Sequence, residues 1–321
     1  MSNINPERMD VADALLRPNR MDCQSVKSLP IAGDRAAYMV AEAGEKYLSL
    51  LGAAREVASQ ILRTPHRALT GAADYIYRAS QELAAIPPPD GPSLPSGDAI
   101  FECLRRLLTV WPDIAAHRIE GEQVFSGDPG LWKRAMTEWP MGGFARMAAD
   151  FMIEHDLLDG KVLELGAGVG SCSALVAGHV TDQFVRTDLQ PFLLRRQKIA
   201  GTVERYDFNE KGRWRNLDTI FSVNALHCAK DKVATLRHLF EMLRAGGVVV
   251  LGEGRPHTDD RGTPWALNPF FGLFRGWWDI GGFVPREGWL AAFKQAGFSG
   301  AGYAMRRAGD HDLGGAIWAV K

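Results

Sequence analysis

Apolar positions along this chain change their period near Phe144. Before that point they recur every three or four residues. The stretch GDRAAYMVAEAGEKYLSLLGAAREVASQILR, rich in Ala, Leu and Glu, therefore predicts a helix. Pro65 in TPHR, Thr64 to Arg67, should end it, because proline lacks an amide hydrogen and restricts the residue before it. A second helix is expected to reach Ile86. PPPDGPSLPSGD, Pro87 to Asp98, has the composition of a linker, and AIFECLRRLLTVW then reads as a helix stopped by Pro112. No internal repeat is visible.

From GFARMAADFMIEHDLLDG onward, an amphipathic helix ended by Gly160, short β-branched runs alternate with helical ones. KVLEL, DQFVRTDL, GTVERYDF, LDTIFSVNAL and GGVVVLGE read as strands. PFLLRRQKIA and KVATLRHLFEML read as helices between them. Such alternation predicts a parallel sheet covered by helices on both faces. The ending differs: after the helix EGWLAAFKQAGF, the strands AGYAMRR and AIWAVK are joined by the turn AGDHDLGG. Two strands linked that tightly must be antiparallel.

Composition narrows the function classes. The chain has 321 residues, 46% hydrophobic and 23% charged, which is ordinary globular material with enough apolar content for a sizeable core. A net charge of −1 supplies no field to recruit nucleic acid or an anionic membrane. Cys23, Cys103, Cys172 and Cys228 form no CxxC pair and read as reduced thiols. MSNINPERMD lacks the apolar core of a secretory signal. The richest apolar run, FFGLFRGWWDI, carries Arg275 and Asp279 and is too short to span a bilayer. The expectation is a cytoplasmic protein, with no nucleic-acid or membrane partner. The eight histidines show no metal-ligand spacing, so no metal is expected.

The candidate chemistry begins at LELGAGVGS, with Gly166, Gly168 and Gly170. Glycines there allow unusual backbone angles and close ligand approach, and the following helix would offer free amides. A dinucleotide fingerprint needs its third glycine at position 171, where this chain has Ser171. Glu164, inside the strand before the turn, suits a ligand with positive charge rather than a pyrophosphate. The next strand ends at Asp188, where a carboxylate can accept both hydroxyls of a ribose. The third ends in YDFN: Asp207 can accept from an exocyclic amine, and Phe208 can lie against a flat ring. Together these residues describe S-adenosylmethionine better than NAD.

From about Phe144 to Lys321 the chain resembles the class I S-adenosylmethionine-dependent methyltransferases, whose sheet usually closes with an antiparallel hairpin. Within that class, DTIFSVNALHCAKDKVATLRHLFEMLRAGGVVVLGE is most similar to the carbon-methyltransferase domains of polyketide synthases. Those carry a strand ending in an Asn-x-Leu-His pattern, here Asn224 to His227, then a GG turn and a strand ending in Glu, here Glu253. The later GWW, Gly276 to Trp278, resembles a further motif of the family. The resemblance implies a Rossmann-like seven-stranded α/β sheet over residues 138–321, mostly parallel with a C-terminal antiparallel hairpin. An all-helical lid or dimerisation region over residues 1–137 would precede it. The cofactor-binding set is then Glu164, Gly166, Gly168, Gly170, Asp188, Asp207, Phe208 and Asn224.

For His227 the resemblance implies the base that removes a proton from a carbon between two carbonyls, held by Glu253. The residues agree with this, since both end neighbouring strands at the carboxyl edge, where such sheets bind ligands. A carboxylate bonded to one ring nitrogen fixes the tautomer and raises the basicity of the other. A lone histidine would equally well bond a backbone carbonyl at a strand end, and the same dyad could activate a hydroxyl or a carboxylic acid. The expectation is therefore a stand-alone methyltransferase acting on an enolisable small-molecule or carrier-bound acyl compound in natural-product biosynthesis. Two readings stay open beside it: an O-methyltransferase acting on a carboxylate or phenol, and an idle binding module whose N-terminal helices make the functional contact. A homodimer through those helices is also an open expectation. Phe270, Phe271, Phe274, Trp277 and Trp278 read as an apolar cluster or substrate wall. Arg195, Arg196 and Lys198 read as a solvated face or a carrier contact, and Cys228 as a packed thiol.

Overall fold

The structure, a computed structural model, describes residues 19–21, 49–64, 68–85, 97–125, 128–195, 197–254, 273, 284–308 and 311–321. Most of the expected linker, residues 87–96, and the aromatic stretch around Trp277 lie outside them, as do Cys23 and Arg196.

Helices come first. Helix α1 covers 49–63 and stops one residue short of Thr64. Helix α2 covers Gly71–Ala85 and α3 covers Ala99–Ala115. Asp98 caps α3 by accepting from the amide of Ile100. The expected stop at Pro112 is corrected: α3 runs on to Ala115. Pro112 lies in the last turn, where its missing donor removes only one helical bond, and buried Trp111 and Ile114 hold that turn against the core. A 3₁₀ turn, Gly121–Phe125, leads to α4, Pro129–Thr137, capped by Asp128 through the amide of Leu131 at 2.9 Å. These elements share a core that includes Leu50, Ile61, Ile76, Leu83, Leu107 and Trp111.

Helix α5, Met141–Glu154, belongs to both halves. Phe144 is part of the helical core, whereas Ala145, Ala148 and Met152 pack on the sheet. Among the described residues the sheet has eight strands, seven of them within the expected domain: β2 (Lys161–Leu165), β3 (Gln183–Asp188), β4 (Thr202–Arg205), β5 (Leu217–Val223), β6 (Leu243–Gly254), β7 (Gly300–Ala308) and β8 (His311–Val320). A three-residue strand β1, Asn19–Met21, extends the β7 edge, giving the order β1-β7-β8-β6-β5-β2-β3-β4. Strands β2 to β6 run parallel, and β7 and β8 pair antiparallel. The expected turn over 308–315 is shorter than predicted, because β8 already begins at His311 after a bulge at Arg306/Arg307. Helices α6 (Ser173–Val176) and α7 (Phe192–Arg195) are single turns, so the helix expected over 191–200 is mostly irregular. Helix α8 spans Lys232–Met242 and α9 spans Arg286–Ala296. They cover the face opposite α5, over a core that includes Leu163, Ile220, Leu251 and Phe293.

The topology fixes where a ligand goes. The chain moves outward from β2 to β3 and β4, then returns to place β5 on the other side of β2. The carboxyl ends of β2 and β5 therefore flank the crevice that such a reversal opens.

Candidate active site

The loops leaving β2 and β5 touch at this reversal. A Cβ at Gly166 would run into the Cβ of Ala225, and Gly166 itself sits at φ +62°. Gly168 has φ +51° and borders open space, with only the Gly166 oxygen within 4 Å of where its Cβ would lie. Glycine is required at the first position by crowding and at the second by backbone angle. The turn so formed leaves room for a ligand to approach its main chain.

Behind the turn, Glu164 is 2% exposed and accepts a hydrogen bond from Ser173 Oγ. Burial pushes its carboxyl up to about 7, opposed by the Ser173 bond and the Arg186 guanidinium. Thr187 Oγ1 donates to the Glu164 carbonyl at 2.7 Å, and the Ala167 amide donates to the Thr187 carbonyl at 2.9 Å. Asp188, at the end of β3, accepts from the Gly168 amide at 3.0 Å and from the Gln190 amide at 2.8 Å. Its first job is thus to hold the glycine turn. Each carboxylate oxygen keeps a further lone pair for a hydroxyl donor. Asp207 Oδ1 accepts from the backbone and side chain of Asn209 at 2.9 and 2.8 Å. The Phe208 ring is mostly buried beside the Gly166 position. Asp188 and Phe208 thus contact the Gly166–Gly170 turn, Glu164 lies in the strand that leads into it, and Asp207 precedes Phe208 and bonds Asn209.

Asn224 behaves differently. The strand expected to run to Leu226 ends at Val223, because Asn224 adopts φ +49°. Its amide donates to the Gly252 carbonyl at 2.8 Å, and its Oδ1 accepts from the Gly254 amide at 2.9 Å. The side chain expected to meet the cofactor bridges the ends of β5 and β6. It also sends the chain into the 3₁₀ turn Leu226–Cys228, so His227 stands in that turn rather than at the strand end.

The turn seats His227 against β6. Its Nδ1 lies 2.7 Å from Glu253 Oε2, and its backbone amide donates to Glu253 Oε1 at 3.3 Å. The two residues are 4% and 3% exposed. Burial alone would lower the imidazole pKa. The Glu253 charge, with hydrogen bonds to Cys228 and Glu253, outweighs it and holds the pKa above its ordinary value. With Nδ1 bonded to the carboxylate, the orientation of the imidazole ring is fixed.

Sequence reasoning overlooked three contributors: Ser173, Arg186 and Gln197. Arg186 was visible as a charged residue within FVRTD, where a buried strand should be apolar, and it is 1% exposed. Arg195 and Lys198 are exposed. Cys228 is a half-buried free thiol, and Cys103 and Cys172 are buried. Among the described residues no group of His, Cys, Asp and Glu is arranged to hold a metal, and no helix is long and apolar enough to cross a membrane.

Residues 163–249, from β2 into β6, match the family described as a methyltransferase domain. The fumosorinone synthetase of Cordyceps fumosorosea is 30% identical over 176 residues, which is 48% of this chain and 4% of that one. The chain thus spans a small fraction of the curated relatives it matches. Among solved structures, the citrinin polyketide synthase CMeT domain superposes with a TM-score of 0.65 at 15% identity, covering 86% of this chain and 89% of that one. The trans-methyltransferase CalH, in complex with SAH, gives 0.63 at 17% identity over 87% and 91%. Residues 163–249 are thus similar to a methyltransferase domain, and the solved structures share the chain's Rossmann-like fold. The chain's similarities run to the methyltransferase domains of polyketide synthases.

Proposed function

We propose that this chain methylates an enolisable carbon of a small-molecule or carrier-bound acyl compound in natural-product biosynthesis. The observation that carries this reading is the buried 2.7 Å contact between His227 Nδ1 and Glu253 Oε2 beside the glycine turn. When bound, S-adenosylmethionine supplies an electrophilic methyl group on a sulfonium. The residues of the chain supply the other half of the reaction. Glu164 and the Asp188-braced turn would receive a positively charged nucleoside ligand, with Phe208 against its base. Glu253 would hold the imidazole so that Nε2 faces the substrate and takes a proton from the carbon between two carbonyls. That proton loss turns a neutral carbon acid into a nucleophile, and base assistance of this kind is worth about 10²- to 10⁴-fold. Holding the carbanion in line with the methyl adds rate through positioning. A buried, paired base fits carbon better than carboxylate as the acceptor, since a carboxylate is already ionised at neutral pH and needs no base.

The test compares a β-keto thioester bearing two α-hydrogens with its α,α-dimethyl analogue. The expected outcome is a single new carbon–methyl bond on the first and no product on the second, with His227→Ala inactive on both. Methylation of the blocked analogue would assign the acceptor to oxygen.

A further inference from the structure

The glycine turn is held from the side by a residue that no motif includes. Gln197 lies between α7 and β4, and its Nε2 donates to the Gly168 carbonyl at 2.9 Å. Its Oε1 accepts from Arg186 Nη1 at 3.0 Å, and Arg186 Nη2 donates to the Ile199 carbonyl at 3.3 Å. A guanidinium only donates, so Arg186 forces the amide oxygen of Gln197 toward itself and the amide nitrogen toward Gly168. Arg186 is nearly inaccessible and its Nε finds no partner, so its hydrogen bonds to Gln197 and Ile199, with the nearby Glu164 charge, compensate for burying it.

Gly168 is therefore gripped on both sides. Asp188 takes its N–H and Gln197 takes up its C=O, which fixes the two peptide planes that flank it at φ +51°. Gly170 closes the same bracket: a Cβ there would strike Gln197 Oε1 and lie 2.8 Å from Ile199 Cδ1. The left-handed angles at Gly168 and Gly170 are angles the turn could leave once unbraced, since glycine populates both signs of φ.

We infer that Gln197, oriented by Arg186, is a positioning residue that sets the cofactor-competent shape of the Gly166–Gly170 turn. This rests on the reading that the turn holds S-adenosylmethionine. Gln197 acts on the ligand only through the Gly168 peptide. A glutamate separates that role from simple stabilisation. Its carboxylate keeps the bond to Arg186 as a charge-assisted pair, and it has no N–H for the Gly168 carbonyl.

The experiment is calorimetric titration of S-adenosylhomocysteine, with thermal unfolding of the ligand-free protein, on wild type, Gln197→Glu, Gln197→Met and Asp188→Ala. The expected result for Gln197→Glu is an unfolding temperature at or above wild type with affinity about tenfold weaker, the loss of one hydrogen bond's worth of shaping. Gln197→Met should lose both affinity and stability. Unchanged affinity in Gln197→Glu, or affinity and stability falling together in that variant, would overturn the inference alone. A wild type that binds no ligand, or an Asp188→Ala variant that binds as wild type does, would remove the cofactor reading of the turn, and the role of Gln197 with it.

Discussion

At the scale of single residues, two buried titratable groups set the pH behaviour. His227 is pulled down by burial and up by the Glu253 charge, and the raised direction wins. A histidine raised in the folded state contributes stability in full below its unfolded value near 6.5 and loses it as pH climbs through the folded value. The same proton must leave before Nε2 can act as a base, so the turnover rate should rise with pH. Replacing Glu253 by Gln removes the charge that raises the imidazole. The acidic limb of the kcat profile should then move down by about 1 unit or more while its plateau falls. A limb that stays in place would detach Glu253 from the base. Glu164 acts in the same direction. Its folded value, about 7, lies above the unfolded 4.5, so the unliganded protein binds a proton there that it gives up as pH rises through neutrality. A sulfonium favours the ionised form, so S-adenosylmethionine should bind more tightly as pH rises toward about 7 and release protons on binding below that value, where the unliganded carboxyl is still protonated. S-adenosylhomocysteine, lacking that charge, should respond less. Glu164→Gln should flatten the difference, as read by calorimetry in buffers of different ionisation enthalpy.

At the scale of elements, the alternation of apolar runs sufficed to place β2, β3, β5, β6 and the closing hairpin, because buried parallel strands are short, β-branched and bounded by turn residues. The ends were less legible. Asn224 sits inside an otherwise mostly apolar run, and its left-handed angle goes with a bond to Gly254, thirty positions away. Arg186 and Gln197 contribute through tertiary partners that no local pattern announces. Pro112 misled for a related reason, since tertiary burial of Trp111 and Ile114 overrode a local stop signal. The close packing of α5 on β6 gives a prediction at this scale. A Cβ at Gly252 would lie 2.9 Å from the Phe144 carbonyl oxygen and 3.1 Å from the Ala148 Cβ. Gly252→Val should therefore cost about 1–3 kcal/mol by overpacking, measured by chemical denaturation. A neutral result would show that α5 can shift.

At the scale of the whole molecule, the N-terminal helices have a core of their own, and Phe144 ties it to the catalytic edge. Phe144 belongs to that helical core, while its ring would meet a Cβ at Gly254 at 3.0 Å and also crowds Gly314. Phe144→Ala should lose about 3–5 kcal/mol and turnover with it. Leu107→Ala, buried in the same core and away from the sheet, should lose about 2–5 kcal/mol and keep kcat in the folded fraction. Equal effects on kcat would contradict Phe144 as the residue that ties the helical core to that edge. The proposed chemistry depends on the His227–Glu253 pair making a carbon nucleophile. Proton removal can be watched without methyl transfer, by incubating a β-keto thioester with the protein in deuterated water in the presence of S-adenosylhomocysteine. Wild type should exchange the α-hydrogens well above the buffer rate, and His227→Ala should fall to that rate. Equal exchange by the two proteins, with methylation still lost in the variant, would contradict the assignment of His227 as the base.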